Sequence, residues 1–502
     1  MGKITEKLPK RVHPHVYPYY LREEYDLPPV FYLDLEPVDR SILVILDPQS
    51  AEEVSQNSNL PKHEQVRNVL EPLMGPQNLL TTDGALWKKW RTIFNPGFSV
   101  QHLMTQVTTI IDCTEAFIKN LDRHSTAGRV FRLEEEATKV TIDIIGKVAC
   151  DHDFKTLTAD NRYLNAMRKS LGWMPDTQSL NPFHWYNPLR SIFWKYYKYH
   201  MDWYLGKVLD ERFVTREANR QMNTRKKSGI DLALEAWVNT SGQPASSATA
   251  TMDAEFRKYA IDQLHTLLFA GHDTTASTLC YCYYLLSKHP QALLKMRQEL
   301  DEVFGNGVSA GEKLKQSPYL INKCDYTLAV VKETLRLFTP GSTVRRGRKD
   351  CFIRDPTSGS MLPTEGYLVW IPSFSMHRDP CYWSDPHAFC PERFLPGNID
   401  KLVAGAFRPF EKGPRNCIGQ ELALMELRII LACTMREFDV SAAYDELQTL
   451  SGDGSLWAKE KAFRAGPQEC FGDEAYQVLL AAAKPREGMP VRITRRTMHA
   501  VT

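Results

Sequence analysis

The sequence predicts a mainly α fold with small β-sheets, and three observations carry that prediction. Helical patterning extends over residues 104–153, about 253–289 and about 418–436, each well beyond an average helix of about 11–12 residues. Strand signals are short by comparison: Val30 to Leu35, Ser41 to Leu46, Val344 to Arg346, Cys351 to Arg354, Tyr367 to Ile371 and Pro490 to Arg495. Composition is that of a globular chain, with 43% hydrophobic and 24% charged residues. Disorder, collagen-like repeats and a membrane bundle are thereby excluded.

A net charge of +2 over 502 residues argues against a nucleic-acid partner, because a phosphate-binding surface shows as a strong basic excess. The eleven cysteines are scattered, without a CxxC pair, so neither a disulfide framework nor a zinc ribbon is indicated, and a reduced, intracellular chain is expected. Cys280 and Cys282 are two apart on a helix and point about 200° apart, as small core residues rather than joint ligands. No run of 18 apolar residues occurs, and the first thirty residues lack a signal-peptide core, so no bilayer span is expected.

In chain order, residues 12–28 include the aromatic run from His13 to Tyr25, a short helix. The first two strand runs form a hairpin around Glu36-Pro-Val-Asp-Arg40, and Asp47-Pro48 opens a helix. In Asp83-Gly-Ala-Leu-Trp-Lys-Lys-Trp-Arg-Thr92, Trp87 and Arg91 share one helical face. An indole N–H beside a guanidinium suits a carboxylate-bearing ligand, the alternative being an exposed helix with a surface arginine. Aromatic residues crowd 173–204, with Lys195 and Lys198 beside them; the stretch suits a membrane surface or an apolar entrance, or else a core. Asn239 to Thr251 is a small-residue loop.

The longest helical pattern passes through Ala270-Gly-His-Asp-Thr-Thr275. Glycine, acid and threonine are expensive choices inside an apolar helix. Thr274 lies four residues after Ala270, so its hydroxyl is expected to take the Ala270 carbonyl and open the helix locally. Glu333 and Arg336 are three apart on the helix from Asp325 to Phe338, which Pro340 ends. Phe389 to Phe394 lies in a loop-rich stretch, and the tail beyond Ala442 reads as mostly loop up to the last strand.

The most informative segment is Phe410-Glu-Lys-Gly-Pro-Arg-Asn-Cys-Ile-Gly419. Each fixed position answers a need of a thiolate ligand beneath a flat macrocycle. Gly413 and Gly419 let backbone approach the sulfur of Cys417, the N–H groups of the next turn stabilise its charge, and Arg415 reaches a carboxylate. With this loop, Ala270 to Thr275, Glu333-Thr-Leu-Arg336 and Pro391-Glu-Arg-Phe394 in that order, the chain resembles the cytochrome P-450 superfamily. The branch is the eukaryotic microsomal type, and the likeness covers about residues 27–496.

The resemblance implies a triangular single-domain fold with haem b between the long central helix and the helix after the cysteine. It assigns Cys417 as axial ligand of the iron, framed by Phe410, Gly413 and Gly419, with Ala270 and Gly271 on the opposite side. Trp87, Arg91, Arg345 and Arg415 become candidates for the haem propionates, with Arg346 and Arg348 competing with Arg345. Glu333, Arg336 and Arg393 become a buried structural triad, Asp273 and Thr274 become proton carriers, and His272 becomes a cofactor-side or groove residue.

The activity implied is oxygen insertion into a hydrophobic small molecule, a secondary metabolite by likeness of the C-terminal stretch to fungal enzymes. Desaturation, ring closure or oxidative coupling would use the same cofactor, and a haem-binding protein without turnover is the rival from another class. The chain lacks a dinucleotide fingerprint and a cysteine cluster for iron–sulfur, so the implied electron source is an NADPH-cytochrome reductase, docked on Lys88, Lys89 and Lys412. The other implied partner is dioxygen, and the implied state is monomeric. Microsomal relatives sit on the cytoplasmic face of the endoplasmic reticulum. Here residues 1–26 are expected to form a segment without the anchor, ahead of a haem domain over 27–502, with peripheral membrane contact through 173–204. Candidate substrate-pocket stretches are Met74 to Leu79, Leu171 to Met174, Leu267 to Thr275, Thr339 to Val344 and Phe471 to Tyr476.

Overall fold

The structure is a computed structural model that describes residues 2–36, 40–174, 187–221, 227–241, 252–450 and 466–496. The helices that position the site are α1 (Gly2–Lys7), α2 (Tyr17–Tyr25), α3 (Gly84–Phe94), α4 (Val107–Ala127), α5 (Leu133–Cys150), α6 (Arg162–Leu171), α7 (Pro188–Gln221), α8 (Ala254–Lys288), α9 (Asp325–Leu337) and α10 (Gln420–Thr434). The strands are β1 (Val30–Leu33), β2 (Ile42–Ile45), β3 (Phe131–Arg132), β4 (Thr343–Arg346), β5 (Phe352–Arg354), β6 (Met361–Pro363), β7 (Leu368–Ile371), β8 (Phe438–Ala442), β9 (Gln477–Leu480), β10 (Ala482–Pro485) and β11 (Pro490–Arg495).

Helix α8 is the axis. Asp253 caps its start by accepting from Phe256 N at 2.9 Å, and Pro290 follows its end. Most of its surface from Ala260 to Leu286 is buried, as a helix apolar on nearly every side must be. Helix α5 packs closely along it, and α7, α9 and α10 complete the surrounding layer. One large apolar core joins these helices. Beside them stands a sheet of order β1-β2-β7-β4, in which β1 and β2 form the expected hairpin and β2 pairs parallel with β7. The smaller sheets are β3-β11-β8, β9-β10 and β5-β6.

The structure departs from the sequence reading in three places. The pattern over 104–153 is two helices, because Gly128 (φ 58°) ends α4 in a left-handed cap and returns its N–H to His124 and Ser125. The described residues of the tail beyond Ala442 are not mostly loop: they hold the β9-β10 hairpin, which turns on Ala481 (φ 68°). Strand β10, Ala-Ala-Lys-Pro, has no β-branched residue to signal it. Asn239 belongs to a helix, Gly229–Ser241, and the rest of that expected loop from 242 lies outside the described residues.

Residues 2–26, expected as a segment without the anchor, pack on the body. Ile4, Leu8, Val12, Val16 and Leu21 are buried against Phe374, Cys470, Tyr476 and Val478. Val12 bridges Val478 of β9, and His13 N donates to Gln477 O at 2.7 Å.

Candidate active site

The cysteine loop is closed by its own backbone. Cys417 N donates to Phe410 O (2.9 Å) and Asn416 N to Gly413 O (3.1 Å). Gly413 is required by packing rather than by approach to sulfur: at φ 79°, any side chain would overlap the Ser55 carbonyl. Gly419 is the glycine beside the sulfur, a Cβ there standing 3.9 Å from Cys417 Sγ. Burial pushes the Cys417 thiol above its ordinary value, while the N–H groups of Gly419 and Gln420 and the Arg91 cation oppose that rise. The Cys417 side chain is nonetheless exposed, so the sulfur is deeply placed yet accessible. Among the described residues no three His, Cys, Asp or Glu side chains gather as a metal site.

Two of the four propionate candidates donate to protein groups. Arg91 Nε donates to Asn95 Oδ1 (2.9 Å), and its Nη1 and Nη2 donate to the carbonyl and side chain of Asn416 (both 2.7 Å). These bonds hold the residue next to Cys417 and use three of the five guanidinium N–H donors. Arg415 is committed to Asp83 Oδ1 and Thr82 O (both 2.9 Å), and its guanidinium lies 4.6 Å from the Trp87 ring centre. Burial lowers Arg415 to about 10 even beside Asp83. Arg345 differs. It is fully buried, one nitrogen donates weakly to Leu60 O (3.3 Å), and Nε and Nη2 have no partner among the described residues. Buried donors of this kind are rare and point to an acceptor that the protein itself does not supply. Its rivals are outside: Arg346 pairs with Glu64 (2.6 Å) and Arg348 with Asp350 (2.5 Å), both exposed.

Sequence reasoning missed Lys62. Its backbone bridges Arg345, and burial together with Arg345 and Arg415 drives its amine well below the ordinary value. Nothing in the local sequence, Leu60-Pro-Lys-His, signals this; the pairing across to β4 creates it.

On α8, Ala270, Gly271 and Thr274 share a half-exposed face. Thr274 Oγ1 donates to Ala270 O at 2.9 Å as expected, but α8 stays α-helical throughout. Glycine is needed at 271 because a Cβ would stand 2.6 Å from Ile145 Cγ1 on α5. Asp273 does not accompany Thr274. Successive helical residues diverge by about 100°, and Asp273 is completely buried on the other side. There Oδ1 lies 2.6 Å from Lys484 Nζ and Oδ2 accepts from Ala482 N (3.2 Å). His272 is neither groove nor cofactor side. It is buried, with Nδ1 2.7 Å from Leu268 O, and burial lowers its pKa. Nearly two turns along α10 from the cysteine side, Glu426 is buried against Thr275, and burial pushes it up to about 8.

Glu333, Arg336 and Arg393 do converge. Arg336 Nε and Nη2 donate to the two oxygens of Glu333 (2.8 and 2.7 Å), both side chains being fully buried. Arg393 Nε stands 3.4 Å from Glu333. Arg336 also donates to the carbonyls of His377, Pro386 and Ala388, so the pair fastens the segment that leads into the cysteine loop.

A mostly apolar cavity of about 980 Å³ opens between α7, the start of α8 and the Glu71–Pro76 region. Gly75 and Pro76 from the expected pocket stretches line it, with Trp194 and Tyr199 of α7. Phe471 and Tyr476 lie elsewhere: they pack with the N-terminal segment, and Phe471 faces Arg378 at 4.6 Å. Of the aromatic crowd, residues 175–186 lie outside the described residues. On α7, Leu189, Ile192, Tyr196, Tyr199 and Trp203 are exposed, three or four residues apart and so along one stripe. No described helix is long and apolar enough to cross a membrane.

Comparison with known proteins gives a consistent result. The sequence pattern of the family described as Cytochrome P450 matches residues 4–463. The chain is 36% identical over 509 residues to the cytochrome P450 monooxygenase acrF of Aspergillus aculeatus, covering 98% of this chain and 99% of that protein. It is 35% identical to the cytochrome P450 monooxygenase polC of Polytolypa hystricis, covering 98% and 86%. Among solved structures, the haem domain of cytochrome P450DA (TM-score 0.74, 20% identity, 97% and 94% covered) and the cytochrome P450 CYP102L1 (0.76, 19%, 96% and 98%) share the fold.

Proposed function

The chain belongs to the cytochrome P450 family of oxidoreductases, and from that membership we propose that it is a haem-thiolate monooxygenase acting on a hydrophobic small molecule of secondary metabolism. The observation that carries this reading is Cys417, accessible at the head of α10 with the N–H groups of Gly419 and Gln420 turned to its sulfur. Hydrogen bonds of this kind stabilise a thiolate ligand. The unpartnered nitrogens of buried Arg345, with Lys62 beside them, suit the carboxylates at one edge of a haem. The residues present therefore fit iron protoporphyrin. When bound, a thiolate-ligated haem supplies the reductive cleavage of dioxygen.

The chain's own residues have three tasks in this reading. Cys417 holds the iron, while Arg91 and the Glu333–Arg336 pair fix the backbone on either side of its loop. The Thr274 hydroxyl holds a proton on the accessible face of α8, and Asp273 resupplies it from the buried side after rotation.

Electrons come from a separate NADPH-dependent reductase. Exposed Lys88 and Lys89 lie on α3, the helix whose Arg91 binds the cysteine loop, which makes that face the docking surface. The stripe from Leu189 to Trp203, with Lys195 and Lys207 beside it, makes a peripheral contact with a membrane surface such as the endoplasmic reticulum's cytoplasmic face; flotation with liposomes tests it, and a wholly unbound fraction rejects it. The activity is tested by combining the holoprotein with reductase, NADPH, isotopically labelled dioxygen and a panel of hydrophobic compounds. One labelled atom in the product is expected. Absence of NADPH consumption with every reductase and compound would reject turnover.

A further inference from the structure

Between α9 and the cysteine loop stands His377, completely buried among three arginines. Its Nε2 accepts from Arg408 N at 2.9 Å. A backbone N–H can only donate, so this Nε2 carries no proton, and the proton of the neutral ring sits on Nδ1. From there it donates to Arg336 O at 3.1 Å, and Arg336 Nη1 returns a bond to His377 O (2.8 Å). One tautomer thus serves both neighbours. Burial, with the charges of Arg336, Arg408 and Arg378, keeps the ring neutral by lowering it to about 3. Phe407, the residue before Arg408, stacks on the imidazole with ring centres 5.6 Å apart.

Beyond Arg408 the contacts run into the cysteine loop itself. Arg408 is buried; its Nε donates to Glu411 Oε1 (2.8 Å), and its Nη2 donates to the same oxygen and to Ser55 Oγ (2.7 Å). Glu411 Oε1 also accepts from Lys412 N (3.0 Å). These bonds hold Glu411 at φ 59°, a left-handed conformation uncommon for a residue with a side chain. Ser55 meets the loop twice, since its carbonyl is the atom packed against Gly413. Glu411 is also the first of the charges that favour the cation on buried Arg345. The line ends on Phe410 and Gly413, whose carbonyls receive Cys417 N and Asn416 N.

We propose that His377 is a positioning residue for Cys417: its neutral imidazole fastens the Arg408–Glu411 pair to the Glu333–Arg336 pair, and so keeps the loop in the shape that presents the sulfur as a thiolate. The inference rests on the reading of Cys417 as the iron ligand given above. The loop is anchored on its far side by α10, whereas its near side, from Val403 to Arg415, is built of turns and irregular chain. Side-chain bonds therefore do there what a helix or strand ladder does elsewhere. The N–H groups of Gly419 and Gln420 lower the sulfur's proton affinity only while Cys417 keeps its place before them. A cationic His377 would set an N–H against the Arg408 N–H, so the link holds because the ring stays neutral.

The test reads the reduced carbonyl difference spectrum of the holoprotein, in which thiolate ligation and a protonated or displaced cysteine give separate bands. His377→Asn puts an amide N–H near the place of Nδ1 and leaves Arg408 N without its acceptor, so a several-fold larger share of the retained haem should lie in the non-thiolate band. His377→Gln, whose carbonyl reaches the place of Nε2, should restore the wild-type share. Glu411→Gln, which weakens the Arg408 end of the line, should shift the share as His377→Asn does, and the double variant H377N/E411Q should add little to the larger single shift, since the two residues act in series. A merely structural role would lower melting temperature and haem content and leave the band of the retained haem unchanged. If His377→Asn takes up no haem, Glu411→Gln decides. Wild-type shares in His377→Asn or Glu411→Gln, equal shifts in His377→Asn and His377→Gln, or additive shifts in the double variant overturn the inference. If the wild-type holoprotein itself lacks the thiolate band, the ligand reading of Cys417 falls; if the wild type shows the band and the variants keep it, the His377 inference alone falls.

Discussion

Arg345 and Arg346 are consecutive on β4, and the strand turns one into the protein and the other into solvent. Arg345 is fully buried with two nitrogens unpartnered, whereas Arg346 is more than half exposed and paired with Glu64. Alternation along a strand thus assigns two identical side chains to different tasks.

Arg345→Leu should weaken haem retention at least tenfold, since a charge-assisted hydrogen bond in a buried setting is worth about 1.5–3 kcal/mol. Arg346→Ala should leave it unchanged, because an exposed pair contributes about 0–1 kcal/mol. Transfer of haem to an acceptor protein measures both.

Cys417→Ser should keep the fold, as read by circular dichroism, and abolish the thiolate signature in the reduced carbonyl difference spectrum. Eight of the other ten cysteines are buried, so a surviving signature would mean that the iron ligand is misassigned.

Thr274→Ala removes the hydroxyl on the accessible face of α8 and its bond to Ala270 O. The share of consumed NADPH that ends as peroxide should rise several-fold. Unchanged coupling would exclude Thr274 from proton delivery.

Glu426→Gln should stabilise the protein at neutral and alkaline pH. The folded carboxyl is pushed up to about 8 by burial from an ordinary value near 4.5. A folded value above the unfolded one means that stability is fully present below about 4.5 and is lost as pH rises toward 8, where the unfolded chain alone releases the proton. Glutamine cannot ionise and can still bond Thr275. The difference in melting temperature between the variant and wild type should therefore grow from pH 4.5 to 8; a constant difference would show that Glu426 does not titrate there.

Glu333→Gln should cost roughly 3–5 kcal/mol, because it strips the counter-charge from buried Arg336. Chemical denaturation checks the value, and a loss below about 1 kcal/mol would show that the three carbonyls around Arg336 suffice.

Much of the fold was legible because its signals are local. Helical periodicity marked α8, α9 and α10 to within two residues, and the loop from Phe410 to Gly419 announced its chemistry through residue types at fixed spacing. What escaped was set by tertiary pairing. Lys62 joins the site only because its backbone meets Arg345. Arg91 and Arg415 looked like free donors, and only the fold reveals Asn416 and Asp83 as their acceptors. Asp273 and Thr274 are adjacent in sequence, but helix geometry separates them, and the partner of Asp273 lies more than two hundred residues away on a strand without a strand-like sequence.

The bridge between Val12 and Val478 sits in register with Lys484, which pairs with Val478 across the β9-β10 hairpin. The start of the chain therefore lies one strand away from the lysine that holds Asp273. For anyone preparing this protein, a tag, fusion or trimmed start is a change to the scaffold around Asp273 as well as a matter of yield. Removing residues 2–16 would bare Tyr476 and Val478 and take away the hairpin's third backbone partner, so preparations that differ only at the N-terminus should not be compared kinetically as though they were the same enzyme.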